Sequence, residues 1–134
     1  MISKEKLEKF FQDDIFAMDM GIKIESVSDD AAVCSMNINE SLYNAGNVVQ
    51  GGAIFTLADF TFAVAANSSG RRTVSQNANI TFIRPGTGTK LVATAQRISE
   101  GKSTCLYSVT VTDDKDRKVA HVTVNGFVVG ELDL

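Results

Sequence analysis

Apolar and polar positions alternate along most of the second half of this chain, but in one stretch the apolar positions run together. Across residues 53–66 only Thr56, Asp59 and Thr61 interrupt an otherwise apolar segment. Gly51-Gly52 precede it and Ser68-Ser69-Gly70 follow it, which predicts a helix of about fifteen residues ending near Asn67. A helix apolar on nearly every side must be covered on most sides. Upstream, Ser3 reads as the N-cap of a short amphipathic helix reaching about Asp14, with Leu7, Phe10 and Phe11 on one face. Strand-like runs lie at residues 22–27 and 31–38, joined by Ser28-Asp29-Asp30. A polar loop spans residues 40–50, and four further strand candidates occupy residues 73–84, 91–99, 103–112 and 118–129. Pro85, the only proline, ends the first of these four. Gly86-Thr87-Gly88, Glu100-Gly101 and the acidic cluster at 113–116 supply the turns.

The order helix, two strands, helix, four strands predicts an α+β fold, with one antiparallel sheet wrapped around a long central helix. A second subunit would cover what the sheet leaves bare. At 134 residues the chain reads as one domain spanning 1–134, with an N-terminal helical segment at 1–20 and a core at 21–130.

Composition narrows the function. Hydrophobic residues make up 44% and charged residues 22%, as in an ordinary soluble globular protein. The N-terminal segment is charged and amphipathic and shows no secretory pattern. The central apolar run is shorter than the ~20 residues needed to cross a bilayer, so neither export nor membrane association is expected. Cys34 and Cys105 read as buried free thiols of a cytoplasmic protein. A net charge of −3 argues against general nucleic-acid binding. Charge is nevertheless uneven. Residues 60–112 hold Arg71, Arg72, Arg84, Lys90, Arg97 and Lys102 against the single acid Glu100, leaving seven basic and fifteen acidic residues elsewhere. That local excess suits a small polyanion better than a duplex.

Several chemistries drop out. There is no nucleophile-elbow motif, and the single histidine, His121, lies in the last strand candidate, so a Ser-His-Asp triad is not expected. One histidine and two scattered cysteines do not make a zinc site, and no metal or separate cofactor is expected. The string at 101–104, Gly-Lys-Ser-Thr, imitates the end of a phosphate-binding loop. Gln96 stands where its first glycine belongs, and strands flank it.

The central helix keeps its own chemistry. Gly51 and Gly52 at a helix start leave backbone N–H groups free for an anion or a developing oxyanion. Asp59 is costly in an apolar helix unless it has a task or a partner. Eight residues at 1.5 Å each put it about 12 Å from Gly51, whereas a base and an oxyanion donor must both come within roughly 3 Å of one carbonyl. Either the two are unrelated, with Asp59 bonding a neighbouring hydroxyl such as Thr56, or two antiparallel helices of a two-fold dimer share the site.

The run Asn44-x5-Gln50-Gly51-Gly52-x6-Asp59, with NANITFIRPG at 77–86 and the Gly101-Lys102 turn, resembles the hotdog-fold acyl-CoA thioesterases. Within them it is most similar to the subgroup named for phenylacetic acid degradation. The resemblance covers about residues 20–130. It implies a hotdog fold and hydrolysis of an acyl- or aryl-CoA thioester, with coenzyme A as part of the substrate. It also implies homodimers, often paired into tetramers.

By position, the resemblance makes Gly51 the backbone N–H on the thioester carbonyl, with Asn44 placing the carbonyl or the water. Asp59 of the opposing subunit becomes general base or nucleophile, and Ser75 the hydroxyl that steadies water or carboxylate. Gly52, Arg84, Lys102, Arg71 and Arg72 would meet coenzyme A. Gln50 departs from the subgroup's usual histidine: its amide donates a hydrogen bond but carries no charge or transferable proton. The alternatives within the fold are a non-catalytic acyl-CoA-binding module and a hydratase or dehydratase. The latter would be expected to use an Asp/His pair.

Overall fold

The computed structural model describes all 134 residues. Ser3 caps α1 (Lys4–Phe11), its hydroxyl accepting from Lys6 N–H, and the helix buries Leu7 and Phe11. The expected single N-terminal helix is in fact two. Asp14 does not extend α1 but caps α2 (Ile15–Asp19), its Oδ1 accepting from Ala17 N–H at 3.1 Å. Such a side chain competes with helix continuation and favours a new start.

Strands β1 (Lys23–Val27) and β2 (Ala31–Asn37) follow, then a 3₁₀ turn at Glu40–Leu42 and the central helix α3 (Gly51–Asn67). At 17 residues α3 is slightly longer than expected and ends, as expected, at Asn67, where Ser68 is the C-cap and Gly70 takes φ +90. The remaining strands are β3 (Arg71–Phe82), β4 (Lys90–Glu100), β5 (Thr104–Asp113) and β6 (Lys118–Glu131). β3 starts two residues earlier than expected, because Arg71 already pairs with Glu131 on β6. It stops at Phe82, short of Pro85, because Ile83 and Arg84 both turn their N–H groups onto the Val119 carbonyl.

All six strands join one antiparallel sheet in the order β1-β2-β4-β5-β6-β3, and α3 packs against every strand. This is the wrapped-helix arrangement expected from the element order. The core is continuous: Leu57, Phe62 and Val64 of α3 meet Leu91, Val109, Val111, Val122 and Val124 of the sheet. The β5–β6 turn is tied by buried Asp113, whose carboxylate accepts from Lys115 N–H, Arg117 N–H and Arg117 Nε. No helix is long and apolar enough to cross a membrane. Cys34 and Cys105 are both buried and unpaired.

Two features of this frame position chemistry. The sheet leaves α3 one bare stripe: Gly52 is exposed, and Gly51, Phe55, Thr56, Asp59 and Ala63 are partly so, while the other eleven of the seventeen residues are buried. Those six positions recur at three- and four-residue spacing and so lie along one face. β3, the long edge strand, is exposed from Val74 to Asn79.

Candidate active site

The start of α3 is built by two side-chain amides. Gln50 is its N-cap, with Oε1 accepting from Gly52 N–H. Asn44 clasps the preceding loop, its Oδ1 accepting from Gly46 N–H at 2.8 Å and from Val48 N–H at 3.4 Å. Asn47 takes φ +61 in that loop, and Tyr43 and Val49 bridge across it. Both amide oxygens are thus consumed by the backbone, which leaves both NH₂ groups as donors for something outside the chain. Ala53 and Ile54 N–H both bond the Gln50 carbonyl, and Gly52 N–H bonds its side chain. Gly51 N–H has no acceptor in the chain. It is the unspent donor at the positive end of the helix. The Phe82 ring lies close by; a Cβ on Gly51 would sit 3.1 Å from its Cζ.

Gly51, Asn44 and Arg84 line one hollow of about 360 Å³, floored by Val49 and Ile54. Gln50 and Gly52 open on the other flank of the same turn, into a hollow shared with Phe16 and Thr56. Asp59 and Ser75 lie in a third hollow of about 400 Å³, with Arg72 on its wall. The predicted residues therefore fall into separate groups within one chain, as the 12 Å spacing requires.

Asp59 is held in a protonation-prone state. Burial raises its carboxyl above the ordinary 3.8, and the Asp14 carboxylate adds to the rise, while Ser75 approaches closely enough to favour the anion. Desolvation is the dominant cause. The bond to Thr56 left open by the sequence is not made: that hydroxyl instead donates to the Gly52 carbonyl at 2.7 Å. No group of three or more His, Cys, Asp or Glu is arranged to hold a metal.

The basic residues divide sharply. Arg71 is committed to structure: Nη1 pairs with Glu100 at 2.6 Å, and Nη2 donates to the carbonyls of Gly101 and Lys102. It is not free for a phosphate. Lys102 sits in the exposed β4–β5 turn near that end of the sheet. Arg84 lies twelve residues beyond Arg72, about 40 Å along an extended chain. The two therefore stand at opposite ends of β3. Sequence reasoning missed Phe10, Phe11 and Asp14 beside Asp59, because only the docking of α1 and α2 brings them there.

Residues 46–120, which hold Gly51, Asp59 and Ser75, match the thioesterase superfamily. The chain belongs to that superfamily. It is 36% identical to the acyl-coenzyme A thioesterase PaaI of Escherichia coli over 111 residues, 82% of this chain and 79% of that one. The structure of the E. coli PaaI protein superposes with a TM-score of 0.90, covering 96% of this chain and 97% of the other. A Streptococcus pneumoniae thioesterase solved with coenzyme A matches at 25% identity and a TM-score of 0.85, covering 92% and 99%. The superfamily assignment and the hotdog fold agree with the resemblance read from the sequence.

Proposed function

We propose that this protein hydrolyses acyl-CoA thioesters to a carboxylic acid and free coenzyme A, at a site shared between two antiparallel α3 helices of a homodimer. The observation that carries the reading is the separation of an unspent Gly51 N–H from a destabilised Asp59 carboxylate on one helix. Each is suited to half of an acyl-transfer site, and a two-fold axis across the bare stripe of α3 brings complementary halves together. Cytoplasmic location and pairing of dimers into tetramers accompany the proposal.

In this reading Gly51 N–H binds the thioester oxygen and stabilises it as charge develops. Asn44 orients the carbonyl or the water through its free NH₂. Asp59 from the other subunit either draws a proton from water or attacks the carbonyl carbon itself. In the first route hydroxide adds, the C–S bond breaks, and the leaving thiolate takes the proton from Asp59. In the second Asp59 adds to the carbonyl carbon and the C–S bond breaks, giving a mixed anhydride and thiolate; water then adds to the anhydride, frees the acid and the Asp59 carboxylate, and supplies the proton that the thiolate takes up. Ser75 holds the carboxylate as its anion. Arg84 lines the same hollow as the Gly51 donor, so it is placed to meet a phosphate of coenzyme A; Arg72 and Lys102, at the other end of β3, belong to the half supplied by the other subunit.

The test is free-thiol release from a panel of aryl- and fatty-acyl-CoAs, with Asp59→Asn as control. Release by the wild type that the substitution abolishes is expected, and equal rates for the two proteins would overturn the assignment. The shared site is tested by mixing Gly51→Pro with Asp59→Asn chains. Hybrid dimers should regain about one working site, and no recovery despite demonstrated subunit exchange would count against it.

A further inference from the structure

The hollow beside Asp59 has an aromatic wall that comes from outside the hotdog core. Phe10 and Phe11 of α1 line it together with Phe62, Ala63 and Val74. Phe11 is 8% exposed and meets Phe60 edge-on at 5.2 Å, one residue from Asp59. Phe10 is partly exposed and meets Phe11 at 5.0 Å with the rings 82° apart. A chain of contacts therefore runs from the residue beside the carboxylate, through a buried ring, to a ring that fronts the hollow. The wall is fixed rather than draped. Leu7 is fully buried, Ile2 N–H donates to the Ser68 carbonyl at 2.7 Å, and Lys6 Nζ donates to the Leu134 carbonyl at 3.0 Å.

We infer that Phe10 sets the size of acyl group the site accepts, as part of the wall of the hollow in which Asp59 works. This rests on the thioesterase reading above and adds a residue outside its catalytic groups. Two observations give the Asp59 hollow to the acyl group rather than to the nucleotide. Five of its ten lining residues are apolar, and the Asp59 carboxylate offsets the charge of Arg72 on the same wall, so the hollow offers a phosphate no net positive charge. The hollow lined by Gly51 holds Arg84 and no acid. At about 400 Å³ the Asp59 hollow lies near the lower end of the 300–1,000 Å³ typical of small-molecule sites. Phe10 forms part of the wall of that hollow, so the bulk of its ring decides how much of the volume an acyl group can use.

The experiment measures binding apart from turnover. Phenylacetyl and decanoyl thioether analogues of coenzyme A, in which a methylene replaces the reactive carbonyl, are titrated calorimetrically into wild type, Phe10→Ala and Phe10→Trp. Phe10 is only partly buried, and melting curves establish that each variant is folded. Phe10→Ala is expected to move the decanoyl-to-phenylacetyl affinity ratio toward decanoyl by about tenfold or more, the scale of one or two methylenes in an apolar pocket. Phe10→Trp is expected to move it the other way. A ratio unchanged in both variants overturns the inference. Because no hydrolysis is involved, a shifted ratio in a protein that releases no thiol would sink the hydrolase reading and leave the role of Phe10 standing.

Discussion

Gln50 Oε1 accepts the Gly52 N–H, so one residue both caps α3 and fixes which end of its own amide faces outward. The two roles separate by substitution. Gln50→Glu retains the capping oxygen and adds negative charge at the positive helix end, which favours the helix by about 0.3–1 kcal/mol. It also removes the NH₂ donor. The expected outcome is a melting temperature equal to or above wild type, with kcat/KM lowered by up to about 10²–10³, the cost of one lost oxyanion-type donor. Gln50→Ala should lose on both measurements, its helix start weakened by about 0.5–2 kcal/mol. A Gln50→Glu enzyme as fast as wild type would show that the amide serves the helix alone.

Asp59 makes function and stability oppose each other. Burial raises its folded pKa above 3.8, so the ionised carboxylate costs stability at neutral pH. Well below the unfolded value both states are protonated and the cost vanishes; it grows as pH rises through the folded value. Asp59→Asn should therefore be inactive yet at least as stable as wild type at pH 7. The stability advantage should shrink as pH falls toward 4. Denaturant melts at several pH values check the sign. A mutant less stable at neutral pH than at acid pH, relative to wild type, would contradict the desolvation argument.

The same carboxylate sets the acid limb of activity. As base or nucleophile it must be ionised, so kcat/KM should fall as pH drops through a value above 3.8. Its neighbours push that limb in opposite directions. Asp14→Asn keeps a good N-cap for α2 while removing a like charge, so the limb should move to lower pH. Ser75→Ala removes the group that favours the anion, so the limb should move to higher pH. Profiles of kcat/KM for the two variants should diverge from wild type on opposite sides. Shifts in the same direction would place the acid limb on another group.

How legible this site was in the sequence depended on whether each signal was local. The bounds of α3 were readable because its apolar run, glycine start and Ser-Ser-Gly stop all act within a few residues. The separation of Gly51 from Asp59 was readable too, since helix rise alone sets it. α2 was not: five residues show no helical period, and the cap at Asp14 looked like more of α1. The facing of β3 was not readable either. As an edge strand it is solvated along most of its length, so alternation does not mark an inner face. Local charge and the resemblance together offer Arg71 to a coenzyme A phosphate. Its commitment to Glu100, 29 positions away, is a tertiary fact. Ser75 came from resemblance, and only the docking of β3 against α3 gives it Asp59 as a neighbour.

Gly126 connects packing to that pair. It lies on β6 opposite both Ser75 and Cys105. A Cβ there would meet Cys105 Sγ at 2.7 Å, Phe62 Cζ at 2.8 Å and Thr73 Cγ2 at 2.8 Å. None of the three is the free end of a flexible side chain, because Phe62, Thr73 and Cys105 are all buried. Gly126→Ala should therefore overpack the core and cost about 1–3 kcal/mol in a urea melt. Relief requires β6 to move outward, and its partner Ser75 moves with it, away from the Asp59 carboxylate. Activity should fall alongside stability, with the acid limb shifted upward in the same sense as Ser75→Ala. Adding Cys105→Ala removes the sulfur from the clash, so the double variant should recover part of both losses, and the coupling should exceed about 0.5 kcal/mol. Additive losses with an unmoved acid limb would mean that the strand absorbs the methyl without disturbing Ser75.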